Sequence, residues 1–103
     1  MNTIENDAQL NKFTNEGFKV IVCLASWSRV CRTLQKDLEL IKNNYEKISF
    51  GVVDIDKSSD IRRKHTIASV PTWLIFKDNI LLDELATTNQ YIIDDSLKKH
   101  LLS

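Results

Sequence analysis

The chain has almost no backbone punctuation. Its 103 residues include two glycines, Gly17 and Gly51, and one proline, Pro71. So few breakers exclude a collagen-like, linker-like or low-complexity chain. Two cysteines, Cys23 and Cys31, are too few for a disulfide-stapled secreted scaffold. With only His65 and His100 beside them, they make no spaced set of metal ligands, so no metal is expected. Apolar runs such as Val20-Ile21-Val22-Cys23-Leu24 fall far short of the roughly 20 residues of a membrane span. Charge of one sign is missing too: 14 Lys and Arg balance 14 Asp and Glu. No global field therefore recruits nucleic acid or an anionic membrane. The local positive candidates, Arg29, Arg32, Arg62, Arg63 and Lys64, read as a solvated face. The stretch Met1-Asn2-Thr3-Ile4-Glu5-Asn6-Asp7 is polar and acidic, unlike a secretory signal or transit peptide. A cytoplasmic, reducing setting is the expectation.

What is present is a single domain's worth of alternating elements over residues 1–103, with 43% apolar and 27% charged residues. Asn6 with Gln9 forms a capping-box pattern before a short helix carrying Ala8, Leu10 and Phe13, with Gly17 as its stop. Phe18 to Leu24 reads as a strand buried on both faces. Val30, Leu34, Leu38 and Ile41 repeat at the spacing of one helix face, and Asn43-Asn44 ends that helix. Ile48 to Ile55 reads as a second buried strand, followed by a short helix near Asp60 to Lys64 capped by the serines before it. Thr72 to Phe76 and Ile80 to Leu85 form a hairpin around Lys77-Asp78-Asn79. Thr87-Thr88-Asn89 opens a last helix with Ile93, Leu97 and Leu101 on one face. Trp73, Phe76, Phe50, Leu34, Leu38 and Leu97 are candidate core. The fold class is α/β, with helices on both faces of a mixed sheet of four to five strands.

The chemistry-bearing stretch is Leu24-Ala25-Ser26-Trp27-Ser28-Arg29-Val30-Cys31, where a buried strand passes into a helix at the carboxyl edge of the sheet. Cys31 sits in the first helical turn between Arg29 and Arg32, whose charges would favour a thiolate if they reached the sulfur. Ser28 suits a helix N-cap. Serine catalysis would need a neighbouring general base. Cys23, between Val22 and Leu24, reads as packing, and strand alternation points it away from the Val22 face. The carboxylates Asp54 and Asp56 read as solvated turn residues.

These residues resemble the thioredoxin family. The strand followed by Trp27-Ser28-Arg29-Val30-Cys31 is similar to its active-site segment, Val53-Asp54-Ile55-Asp56 to its third strand, and Val70-Pro71-Thr72-Trp73-Leu74-Ile75-Phe76-Lys77 to its cis-proline segment. The resemblance implies the thioredoxin fold, a three-layer αβα arrangement, with the Val70–Pro71 bond cis. It implies a groove in which Trp27, Arg29, Ala68, Val70 and Pro71 meet an extended peptide by strand addition. The implied partners are protein or peptide thiols and disulfides. No cofactor, no nucleic acid and no membrane partner is expected, and the chain is expected to be a monomer.

The departures from the family pattern fall at one place. Its Trp-Cys-Gly-Pro-Cys is here Trp27-Ser28-Arg29-Val30-Cys31, with a hydroxyl where the attacking thiol belongs. Its buried aspartate and the accompanying lysine fall at Val22 and Val52, its helix-kinking proline at Lys36, and its late glycine at Ala86. In the two-cysteine mechanism the first thiolate attacks and the second resolves the mixed disulfide. Dithiol reductase activity is therefore expected to be absent or weak. Ser28 and Cys31 are the candidate catalytic positions; Cys31 is either a single redox-responsive thiol or a half-buried packing residue, and the resemblance, in which the second cysteine is the shielded one, favours packing. Two alternatives stand beside this reading. One is a conventional dithiol thioredoxin carrying a Cys-to-Ser change at position 28; the other is a non-catalytic binding module. A glutathione-dependent monothiol enzyme fits less well, because such enzymes keep the first cysteine and lose the second.

Overall fold

The computed structural model describes residues 1–102. Strand β1 (Asn2–Ile4) leads into helix α1 (Asp7–Phe13), then β2 (Phe18–Leu24), α2 (Arg29–Asn43) and β3 (Ser49–Asp54). Helix α3 (Ser59–Lys64), the hairpin β4 (Thr72–Lys77) and β5 (Ile80–Leu85), and helix α4 (Gln90–Leu102) follow. The sheet order is β1-β3-β2-β4-β5, with β1 and β2 parallel to β3 and the β2–β4 and β4–β5 pairs antiparallel. This is the mixed sheet expected, now with its fifth strand placed. β1 gives no sequence signal because it is three residues long and buries only Ile4.

The sheet separates two apolar cores. Val20, Val22 and Leu24 of β2 face α2 and α4, among Cys31, Leu38, Phe50, Trp73, Ile93 and Leu97. Ile21 and Cys23 face the other way, among Leu10, Ile61, Ile67 and Leu74. Alternation along a strand sends successive side chains to opposite faces, so the apolar run Val20-Ile21-Val22-Cys23-Leu24 demands cover on both. Val20, Ile21 and Val22 are fully buried, each contributing roughly 1.5–3 kcal/mol. The proposed core residues Trp73, Phe76, Phe50, Leu38 and Leu97 are buried, and Leu34 is half-buried.

Local signals worked where the capping chemistry is short-range. The Asn6 side chain accepts from the Gln9 N–H at 2.9 Å, while the Gln9 side chain accepts from the Glu5 N–H at 2.9 Å. Asp78 and Asn79 turn the hairpin at φ 49° and 69°, the left-handed pair that a two-residue connection requires. Two sequence expectations are corrected. Gly17 (φ 80°) does not cap α1, which ends at Thr14. It turns the chain into β2, where its N–H donates to the Asp78 carboxylate at 2.8 Å. Ser58 stands at the N-cap of α3 without a side-chain cap bond. Its hydroxyl donates to the Glu5 carbonyl at 2.8 Å, tying α3 to the first loop. In α4, Ile93 and Leu97 are buried as that helix face requires, and Leu101 lies at its exposed end.

The exit from α3 aims the chain at Pro71. The Ile67 N–H bonds to the Arg62 carbonyl at 3.0 Å and the Thr66 N–H to the Arg63 carbonyl at 3.3 Å. This is a Schellman closure, with Thr66 at φ 51° in the position glycine usually takes. A β-branched residue there costs about 1–2 kcal/mol. Thr66→Gly is expected to raise stability by about 0.5–1 kcal/mol in urea unfolding, since glycine's greater unfolded-state entropy takes back part of the gain. Gly51 has the opposite constraint. A Cβ there would lie 3.1 Å from Ile21 Cδ1 and 3.2 Å from Ile4 Cγ1 and Phe13 Cε2. Gly51→Ala is expected to lower stability by about 1 kcal/mol in the same assay, because the packed side chains of Ile4, Phe13 and Ile21 must all give way to the added methyl.

Candidate functional site

The site is assembled where β2 ends. Leu24 and Ala25 are buried, and the chain turns at Ser26 and Trp27, the Ser28 N–H bonding back to the Ala25 carbonyl at 3.1 Å. Helix α2 starts at once. Ser28 is its N-cap, with extended backbone (φ −87°, ψ 119°), and its Oγ accepts from the Cys31 N–H at 3.3 Å. A free amide at a helix start needs such an acceptor, and serine supplies it. The hydroxyl is thus engaged with the backbone, and no histidine approaches it. His65 packs edge-on against Phe76. Burial, with the Lys64 charge, lowers its pKa from the usual value. His100 Nε2 lies 3.6 Å from Asp83, and Ser96 donates to the same carboxylate at 2.7 Å.

Cys31 is buried, at 1% exposure, in the core between β2 and α2. Arg32 does not turn to its sulfur; its Nη1 donates to the Ser26 carbonyl at 2.8 Å and ties α2 to the preceding turn. Arg29 is exposed. Val22 and Val52 lie directly opposite each other in the β2–β3 register and both contribute to this core. The floor beneath the first turn of α2 is therefore an apolar cross-strand pair.

Cys23 belongs to the other core, across the sheet from Cys31, and both cysteines are free. Burial, with a smaller contribution from the Glu84 charge, pushes the Cys23 thiol up to about 12. It stays neutral and acts as a small apolar residue.

The loop before β4 lies at the same end of the sheet, since β2 and β4 pair with Cys23 opposite Thr72. The Val70–Pro71 peptide bond is cis. The Thr72 hydroxyl donates to the Ser69 carbonyl at 2.7 Å and holds the loop. Pro71 is buried and Val70 half-buried against both cores, while Ala68 and Ser69 are exposed. Trp27 is 67% exposed, a large apolar surface with no core to serve.

Two clefts flank α2, and neither is lined by Trp27, Val70 or Pro71. One of about 660 Å³ opens between α2 and the β1–β3 edge, over Leu24, Ala25, Val52 and Asp54. The other, of about 330 Å³, lies on the outer flank of α2. Asp37 and Thr88, which help line it, carried no sequence signal of function. Asp37 looks like any wet helical residue until its i, i+4, i+8 relation to Thr33 and Arg29 is drawn beside the loop that holds Thr88. No cluster of metal-ligating side chains exists among the described residues, and no helix among them is long and apolar enough to cross a membrane.

Burial of both thiols has a direct chemical consequence. Iodoacetamide at mildly alkaline pH is expected to label the folded protein at the rate of opening rather than at the rate of a free thiol, with Cys23 the slower of the two. Mass-spectrometric labelling with and without urea checks this; labelling of Cys31 at free-thiol rates in the folded state would show the first turn of α2 to be open.

The geometry has counterparts among known proteins. The thioredoxin family model matches residues 2–101. Thioredoxin of Coprinus comatus is 33% identical over 101 residues, covering 95% of this chain and 95% of that protein. Thioredoxin 1 of Plasmodium falciparum is 26% identical over 98 residues, covering 94% of each. Among solved structures, Fasciola hepatica thioredoxin superposes with a TM-score of 0.91 at 23% identity, over 97% of this chain and 99% of that one. Trypanosoma brucei brucei thioredoxin gives a TM-score of 0.90 at 22% identity, over 98% and 90%. By fold, by the strand-to-helix turn at Ser28–Cys31 and by these matches, the chain belongs to the thioredoxin family of thiol–disulfide oxidoreductases.

Proposed function

We propose that this protein binds thiol- or disulfide-bearing segments of other proteins at the surface around Trp27, Arg29, Val70 and Pro71, without running the two-thiol exchange cycle. The observation that carries the reading is the Ser28 contact: at the position of the attacking thiol, a hydroxyl accepts the Cys31 N–H and caps α2. A helix N-terminus acidifies a thiol usefully but leaves a serine hydroxyl un-ionised. Cys31 is shielded in the core, so a mixed disulfide at its sulfur requires the first turn of α2 to open. The Val22–Val52 pair removes the buried carboxylate and its lysine, the groups that would move the resolving thiol's proton in a family member with both cysteines. These changes act on successive steps of one cycle, so each makes the others tolerable.

An exposed Trp27, and exposed Ala68 and Ser69 ahead of the cis Val70–Pro71 bond at the same end of the sheet, support a surface for an extended peptide. A cytoplasmic location and a monomeric state fit this reading.

The test is reduction of a protein disulfide with dithiothreitol as electron source. The native chain is expected to leave the uncatalysed rate unchanged. Ser28→Cys is expected to remain within about tenfold of that rate, because the Val22–Val52 floor handles no proton. A gain of a thousandfold would instead mark position 28 as the one missing part of an otherwise intact dithiol enzyme. In parallel, Cys31→Ala is expected to preserve binding of an extended peptide, whereas Trp27→Ala weakens it; loss of binding in Cys31→Ala would make the thiol itself the point of attachment.

A further inference from the structure

Helix α2 breaks two local rules at its start. Arg29 places a cation in the first turn, where the helix dipole favours anions, and no acidic residue occurs there. Val30, β-branched and 50% exposed, follows it. Neither choice stabilises the helix, and such local costs concentrate at functional positions.

Both residues open onto the 330 Å³ cleft, which Thr33, Leu34, Asp37 and Thr88 complete. Arg29, Thr33 and Asp37 form one stripe along α2, with Val30 and Leu34 beside it as an apolar floor. The two ends differ in sign, Arg29 at one and Asp37 at the other. Among the described residues, neither side chain takes part in an ion pair or side-chain hydrogen bond. Eight helical steps separate them, about 12 Å at 1.5 Å per residue. An extended chain spans that distance in about four steps of ~3.3 Å, and its first, third and fifth side chains share one face.

We propose that this cleft binds an extended segment of a partner protein whose three successive same-face side chains are acidic, apolar and basic. The carboxylate meets Arg29, the apolar side chain lies over Val30 and Leu34, and the cation meets Asp37. The inference rests on the protein-binding reading above and gives that reading its sequence preference, since the cleft shares Arg29 with the Trp27 surface.

The experiment is fluorescence anisotropy with labelled peptides containing Glu-Thr-Leu-Thr-Lys, Glu-Thr-Leu-Thr-Glu or Glu-Thr-Ser-Thr-Lys, whose threonines disfavour helix. The native chain is expected to bind the first about threefold or more tightly than the second, the size of an exposed ion pair gained against one lost. It is expected to bind the first about fivefold or more tightly than the third. Asp37→Lys, an exposed change that leaves the core intact, inverts the preference between the first two. Amide shifts on binding fall on Arg29 to Asp37 and Thr88. Equal affinity for all three peptides overturns the proposal. So do shifts confined to Ala68–Pro71, which would leave the Trp27 surface as the binding site and this cleft empty. A concentration-dependent dimer that Asp37→Lys abolishes also overturns it, by making a second copy the occupant.

Discussion

Covering strand β2 on both faces is the constraint from which the rest of the molecule follows. Val20, Ile21, Val22 and Cys23 leave no wet side, so two helical layers are required, and the chain supplies α2 and α4 to one and α1 and α3 to the other. The same burial fixes the register. A slip of one residue would exchange Val22 and Cys23 between cores of different shape. Trp73, opposite Val22 on β4, seals the α4 side and donates its indole N–H to the Thr87 carbonyl at 3.2 Å, so the core reaches the loop beside the site.

Function is placed by the same burial. Because β2 and β3 run parallel, with β4 antiparallel to β2, the carboxyl end of β2, the start of α2 and the cis-proline loop converge on one edge. A thiol-exchange site uses that convergence: a helix N-terminus for a thiolate, and a backbone edge for an extended substrate. In this chain the helix N-terminus is taken up by a serine cap, and the floor beneath it is the apolar Val22–Val52 pair. The residues between Ser28 and Cys31 have changed character as well. Arg29 and Val30 line the cleft on the flank of α2 with Asp37 and Thr88.

Much of the fold was legible in the sequence because it rests on short-range rules. The bounds of β2 follow from the apolar run, the Asp78–Asn79 turn from residues that tolerate positive φ, and the start of α1 from Asn6 and Gln9. Cys23 was legible as packing because alternation alone separates it from Val22. Where the reading went astray, a distant partner had captured the group. The Ser58 hydroxyl serves the Glu5 carbonyl and not its own helix; Gly17 answers to Asp78, 61 positions away.

Sequence alone determined which chemistry Ser28 and Cys31 could carry, since a hydroxyl and a thiol differ in acidity wherever they are placed. It also determined that a two-sided strand needed two cores. Only the tertiary structure decided that Cys31 is shielded, that Arg32 spends its guanidinium on the Ser26 carbonyl, and that Asp37 and Thr88 share a cleft with Arg29 and Val30. Exposure, the aim of a long side chain and the meeting of a helix flank with a loop some 50 positions away are properties of packing, and no local pattern encodes them.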